Sequence, residues 1–285
     1  MTGWRGVLFT ADDYGQSPGI SRGIADLAAA GRLAGISCLA NGPSWRADAP
    51  ALKDLRGRVD IGLHLCLTEF APLGPMRRLA PDGKLPGIGA LTLQALAGAL
   101  APGEIRDELA RQFDAFTDAL GFAPDFLDGH QHAHSLPRVR GLVIDLFRSR
   151  LDPGQAYIRS CLEPPMSVMR PGIAVPKAMT LSALNTGFPA ALGRAGIRSN
   201  QGYKGVHGFA PETPDAVERR FAGWFAHTGH GGLINCHPGH ADPAPDPIAA
   251  TRPVELAFLA GERFPQLLDR LGVRLARFRE LQSAP

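Results

Sequence analysis

The residues best able to do chemistry in this 285-residue chain fall in four short clusters: Ala11-Asp12-Asp13-Tyr14, Gly62-Leu63-His64-Leu65, Asp128-Gly129-His130-Gln131-His132-Ala133-His134 and Asn235-Cys236-His237-Pro238-Gly239. Carboxylate and imidazole are ligands for divalent metals, and a set of one carboxylate with two imidazoles leaves positions open for water and substrate. Adjacent carboxylates at a strand end point in different directions. One can therefore hold a cation while the other stays free as a base, and the cation keeps both ionised. Taken singly, each cluster has a plainer reading: neighbouring acids cap turns, and one histidine in an apolar strand is ordinarily a hydrogen-bonded core residue. His130, His132 and His134 change that balance. Spaced two apart, they face one side of an extended chain, and a solvated turn gains little from three imidazoles. The clusters together read as one metal-dependent hydrolytic site.

Such a site needs elements that bring distant segments together. Each cluster follows an apolar run that reads as a buried strand (7–10, 59–63, 126–127 and 232–235), and parallel α/β folds gather catalytic groups at the carboxyl ends of strands. Ser17-Pro18 opens a helix over 18–30, with Ile20, Ile24 and Leu27 at helical spacing and Gly31 as its stop. Further strands are expected at 36–40, 59–65, 125–128, 156–159 and, with period-two alternation, 273–278. The clearest helix is 104–120, where Ile105, Leu109, Phe113, Phe116 and Leu120 share a face and Gly121 caps the end. Other helices are expected at 137–150 and from Thr213-Pro214-Asp215 onward. The β-then-α order predicts a parallel sheet closed or nearly closed into a barrel. At this length one domain spanning 1–285 is expected.

Three segments rich in Pro or Gly, near 71–89, 163–179 and 241–253, interrupt the pattern and read as loops that shape a substrate site. With 30 basic and 27 acidic side chains, and only four lysines, the chain has no stripe suited to nucleic acid. No stretch approaches the roughly 18 apolar residues of a membrane span. The short amino-terminal strand leaves no room for a signal sequence, so a cytoplasmic protein is expected. Cys38, Cys66, Cys161 and Cys236 are far apart and read as reduced, buried thiols.

The segments from Thr10 to Ser17, Gly62-Leu63-His64-Leu65 with Leu67-Thr68-Glu69, Asp128 to His134 with Leu136-Pro137, and Asn235-Cys236-His237-Pro238-Gly239 resemble the YdjC-like carbohydrate deacetylases, which include chitooligosaccharide and hopanoid-associated deacetylases. The resemblance implies a distorted (β/α) barrel related to polysaccharide deacetylases, one divalent metal (zinc or magnesium) and hydrolysis of an N-acetyl group on a sugar or glycolipid. It implies Asp13, His64 and His130 as metal ligands, Asp12 as general base and His237 as general acid. Arg159, in Arg159-Ser160-Cys161-Leu162-Glu163, resembles a position that pairs with the base, although Cys161 and Leu162 depart from the family pattern. His132 and His134 are left to contact substrate or to support the ligands.

Two other classes stay open at this point: a different metal-dependent barrel enzyme, such as a phosphoesterase or sugar isomerase, and a non-catalytic sugar- or metal-binding module. The presence of both Asp12 and His237 argues against a bare binder, which needs neither base nor acid. His227 and His230 read as surface residues, His240 could line the pocket, and His207 is given no role. The metal's identity, the sugar and any homo-oligomer are not fixed by sequence.

Overall fold

The computed structural model describes residues 4–282. Eight parallel strands, β1 (Arg5–Tyr14), β2 (Gly35–Cys38), β3 (Asp60–Leu65), β4 (Phe126–Gly129), β5 (Tyr157–Ile158), β6 (Tyr203–Lys204), β7 (Leu233–Cys236) and β8 (Val273–Leu275), form a curled sheet. Their order is β5-β4-β3-β2-β1-β7-β6, and β8 pairs with the start of β1. No ladder joins β5 to β6 among the described residues. Asn200 spans the gap instead: it accepts from the Ser160 N–H (2.8 Å) and donates to the carbonyls of Ser160 (2.9 Å) and Gly202 (2.7 Å). The fold is thus the expected α/β barrel, distorted by a seam that side chains close.

Among the described residues twelve α-helices accompany the sheet: α1 (Pro18–Ala29), α2 (Trp45–Asp48), α3 (Ile88–Ala97), α4 (Pro102–Leu120), α5 (Val139–Arg150), α6 (Pro165–Met169), α7 (Val175–Leu184), α8 (Phe188–Arg194), α9 (Pro214–Ala226), α10 (Arg252–Ala260), α11 (Arg263–Leu271) and α12 (Phe278–Gln282). α1 starts where Ser17 Oγ accepts the Ile20 N–H and Pro18 presets the first turn. α4 buries Ile105, Leu109, Phe113, Phe116 and Leu120 as its spacing predicts, and Gly121 ends it at φ 79°. The same helix buries two polar residues. Glu108 accepts the amides of Leu73 and Gly74, and Gln112 bonds both backbone groups of Cys66, which pins the segment after β3.

Two expectations are corrected. Residues 163–179 are not structureless: α6 and the first half of α7 lie there, hidden from a sequence reading by the Pro and Gly residues of the segment. The last strand stops at Leu275, and Phe278 begins α12. Its ring seats beneath the barrel, stacked on Tyr157 at 4.1 Å, and its N–H is donated to Asp60 (2.8 Å).

Strand alternation divides the barrel interior into two levels. Leu8, Phe126, Tyr157, Tyr203 and Leu233 pack with Phe278 as an apolar cluster. Two or four residues further along the same faces come Asp12, Asp128, Arg159 and Asn235, all buried. The apolar plug lies at the amino-terminal ends of the strands and the charged groups at their carboxyl ends. Outward residues such as Phe9 meet Phe221, Phe225 and Phe264 of the surrounding helices. Among the described residues no helix is long and apolar enough to cross a membrane. All four cysteines are free and buried.

Candidate active site

Asp12 and Asp13 both reach the same site because Asp13 takes a left-handed φ of 73°, uncommon for a residue with a Cβ, which breaks the alternation that would send adjacent strand side chains to opposite faces. Asp12 meets Arg159 in a two-pronged ion pair, with Nη1 to Oδ2 at 2.8 Å and Nη2 to Oδ1 at 2.7 Å. Asn235 adds a donor to Oδ2 at 2.8 Å, and Asn235 is itself fixed by the Tyr203 hydroxyl (2.6 Å). Burial alone would raise the Asp12 pKa, but Arg159 overrides it and holds the carboxyl well below its ordinary range.

Asp13 points to the histidines. Its Oδ1 lies 3.0 Å from His130 Nδ1 and 3.6 Å from His64 Nε2, while Oδ2 is held by Arg252 Nη2 at 2.9 Å. Parallel pairing of β3 with β4 sets His64 opposite Asp128. Asp128 Oδ1 lies 2.7 Å from His64 Nδ1 and accepts the Ser37 hydroxyl at 2.5 Å; its Oδ2 lies 2.6 Å from Arg159. A proton on Nδ1 directed at Asp128 leaves the Nε2 lone pair of His64 facing Asp13, the arrangement found behind metal-ligating histidines.

Asp13, His64 and His130 present ligand atoms within 4.8 Å of one another. The surrounding charge also fits a cation: Asp12, Asp13 and Asp128 are all buried, and among the described residues the guanidinium groups paired with them are those of Arg159 and Arg252. Burial would push His130 toward its neutral form, yet Asp13 raises its pKa to about 10. Positive charge is thus favoured where a metal would sit, and the donor types suit a divalent transition ion.

His237 reaches the site from the loop after β7. Its Nε2 is 3.9 Å from Asp12 Oδ2, its Nδ1 is buried without a partner, and its ring meets Phe209 edge-on at 5.1 Å. Glu255 anchors its backbone N–H at 2.7 Å. Burial lowers the His237 pKa below its usual value against the pull of Asp13 and Asp12. These groups floor a cleft of about 740 Å³ whose walls include Leu93 of α3, Leu181 and Leu184 of α7, Phe209 and Ile248.

The three clustered histidines do not share a side, which corrects the extended-chain expectation. Gln131 (φ 49°) and His132 (φ 63°) are left-handed and coil the segment into a tight turn. His130 goes to Asp13. His132 lines the cleft, with Tyr203 and Cys161 each 3.5 Å from its ring nitrogens. His134, grouped with His132 as facing substrate, is buried away from the cleft and donates from Nε2 to the Arg159 carbonyl at 2.9 Å. Its position supports the arginine. His240 is exposed near Asp26 and does not line the cleft, and His227 and His230 lie at the surface as expected. His207 is buried between Phe209 and Trp224.

Sequence reasoning missed Arg252, Glu255 and Ser37, and gave Asp128 and Asn235 no role although both stand inside the quoted motifs. The latter two carried a signal, since each lies two residues or fewer from a singled-out histidine. Arg252 and Glu255 lie in a helix and carry none.

Comparison with known proteins shows the family and the fold. The family model described as YdjC-like protein matches residues 6–270. A carbohydrate deacetylase of Homo sapiens is 36% identical over 138 residues, 47% of this chain and 42% of the human protein, so the match spans less than half of that relative. A chitooligosaccharide deacetylase of Salmonella typhimurium is 28% identical over 242 residues, covering 84% of this chain and 83% of that protein. Among solved structures, a protein of Enterococcus faecalis described as a candidate for cellobiose-phosphate cleavage superposes with a TM-score of 0.72 at 18% identity, over 98% of this chain and 99% of that one. That likeness shows the fold.

Proposed function

Because this chain belongs to the YdjC-like family, we propose that it is a metal-dependent hydrolase that removes the acetyl group from an N-acetylated amino sugar. The observation that carries the reading is the meeting of three elements at the floor of one cleft: the Asp13–His64–His130 donor set, the Asp12–Arg159 pair and His237. The names of the relatives point the same way.

Asp13, His64 and His130 would hold the ion. A bound divalent cation polarises an acetyl carbonyl and acidifies water. Asp12 takes a proton from the water whose oxygen attacks the carbonyl carbon. Arg159 and Asn235 keep that carboxylate ionised and aimed, leaving it little rotational freedom. His237 delivers a proton to the departing nitrogen as the C–N bond breaks, giving acetate and the free amine. Its lowered pKa makes its imidazolium a ready donor. Apolar walls exclude bulk water and strengthen each of these charge interactions. Two imidazoles favour zinc or a neighbouring ion, and the family resemblance also allows magnesium.

The test is acetate release from a panel of N-acetylated sugars and glycolipids, with zinc, with magnesium and with chelator, beside Asp12→Asn. Metal-dependent release that the substitution abolishes supports the reading. Absence of release from every member, despite one metal bound per chain, would sink it.

A further inference from the structure

Seven large apolar side chains are exposed among the described residues: Trp4, and then Leu73, Leu93, Leu96, Met166, Met169 and Met179. The last six all come from two segments, one leading into and through α3 and the other forming α6 and α7. α3 and α7 contribute Leu93, Leu181 and Leu184 to the cleft, Leu96 and Met179 stand on those same two helices, and α6, which carries Met166 and Met169, packs against α7. α3 reads IGALTLQALA, apolar on nearly every face, yet only Leu91 and Ala95 are buried. A helix of that composition is ordinarily covered, and an exposed apolar cluster of this kind marks a contact surface.

The charge of the same segments identifies what covers them. Residues 164–211 contain Arg170, Lys177, Arg194, Arg198 and Lys204 and no Asp or Glu. Residues 71–100 carry Arg77, Arg78 and Lys84 against Asp82 alone. Of these, Arg77, Arg78, Lys84, Arg170, Lys177 and Arg194 are exposed. Glu69 and Asp246 line the cleft and Glu163 neutralises the buried Lys204, but the exposed charges of these two segments are cationic apart from Asp82, in a chain whose formal charge is only +3. A second copy packed face to face on this surface would set these cations against one another. Apolar side chains ringed by cations are instead the signature of a helix lying at an anionic lipid surface.

We propose that the mouth of the cleft docks on an anionic bilayer, with α3 and α6 placing Leu96, Met166 and Met169 among the acyl chains and Arg77, Arg78, Lys84 and Arg170 among the headgroups. The docked cleft opens toward the membrane, so any substrate it accepts is presented from the lipid surface. The inference stands on the surface alone and does not depend on the reaction assigned to the floor of the cleft.

Co-sedimentation of the full chain with vesicles tests it. Binding is expected to vesicles of mixed phosphatidylcholine and phosphatidylglycerol, to weaken at high salt, and to be far weaker with phosphatidylcholine alone. The triple variant Leu96→Ser, Met166→Ser and Met169→Ser, all exposed and none lining the cleft, lowers vesicle affinity about tenfold or more while leaving the melting temperature unchanged. Lys84→Glu with Arg170→Glu flattens the salt dependence. No sedimentation with either vesicle, or undiminished binding by the triple variant, overturns the proposal. A dimer that the triple variant disperses, in a chain that ignores vesicles, also overturns it and assigns the face to a second copy.

Discussion

At the scale of single residues, the site divides labour by how each side chain is held. Asp12 receives three hydrogen bonds from Arg159 and Asn235, whereas His237 keeps an unpartnered Nδ1 and is anchored only through its backbone. His237→Ala is therefore expected to lower turnover by about 10²–10⁴-fold with metal affinity nearly unchanged; calorimetric metal titration beside steady-state rates checks this, and loss of metal from the variant would contradict the assigned role. A second prediction concerns Asp60, at the opposite end of the strands. Burial raises its pKa to about 7, partly offset by the Phe278 amide it accepts. A carboxyl raised above its unfolded value of 3.8 favours the native state fully only below pH 3.8, and that contribution is lost as pH rises through 7. Asp60→Asn should then raise the melting temperature at pH 8 by a few degrees, with the gain fading toward pH 4. A gain that is instead constant with pH would show that the carboxyl's charge is not responsible.

At the scale of elements, the register of β3 on β4 and of β1 on β7 decides which polar groups meet: His64 faces Asp128, and Thr10 faces Asn235 two residues before Asp12. Gly205, just after β6, makes close approach to that set. At φ 132° it leaves room for Asn235, whose Oδ1 would lie 1.7 Å from an added Cβ. Gly205→Ala should thus displace Asn235 and with it Asp12, lowering activity at least about tenfold while the circular dichroism of the folded chain is retained. Unchanged turnover would show that Asn235 does not orient the base. The elements were largely legible, since strand-then-helix periodicity located the strands that carry all four clusters. The short α6 and α7 were not, because Pro and Gly erased their pattern. Pairing register was invisible too, and with it the service of Asp128 to His64. The three histidines spaced two apart misled, because period-two reasoning assumes extended backbone and two non-glycine residues there are left-handed.

At the scale of the whole molecule, the site is assembled from residues 12 to 255 and sits on the charged upper level of the barrel, above the apolar plug that Phe278 completes. A ligand bound only by the assembled site stabilises the entire fold. Zinc or the preferred ion at about 100 times its dissociation constant should therefore raise the melting temperature by about 5–10 °C. Asp13→Ala should abolish the rise. A rise that survives this substitution would place the ion elsewhere. That Asp13, His64 and His130 come together was legible in the sequence. The counter-charges that tune them were not, because Arg252 reaches Asp13 across 239 positions from a helix that looks ordinary.

β1 carries both acids near its end, yet it pairs with β7 and β8, and Asp13 waits for Arg252. During synthesis, β1 therefore emerges long before the segments that complete its surroundings. A nascent chain that stops short of β7 has Asp12 without Asn235, Asp13 without its arginine, and no His237 at all. The candidate site is thus incomplete until β7, His237 and α10 have joined β1. Sequence order acts here as a timer, postponing assembly of the two acids' surroundings until partners 223 and 239 positions further along the chain have emerged.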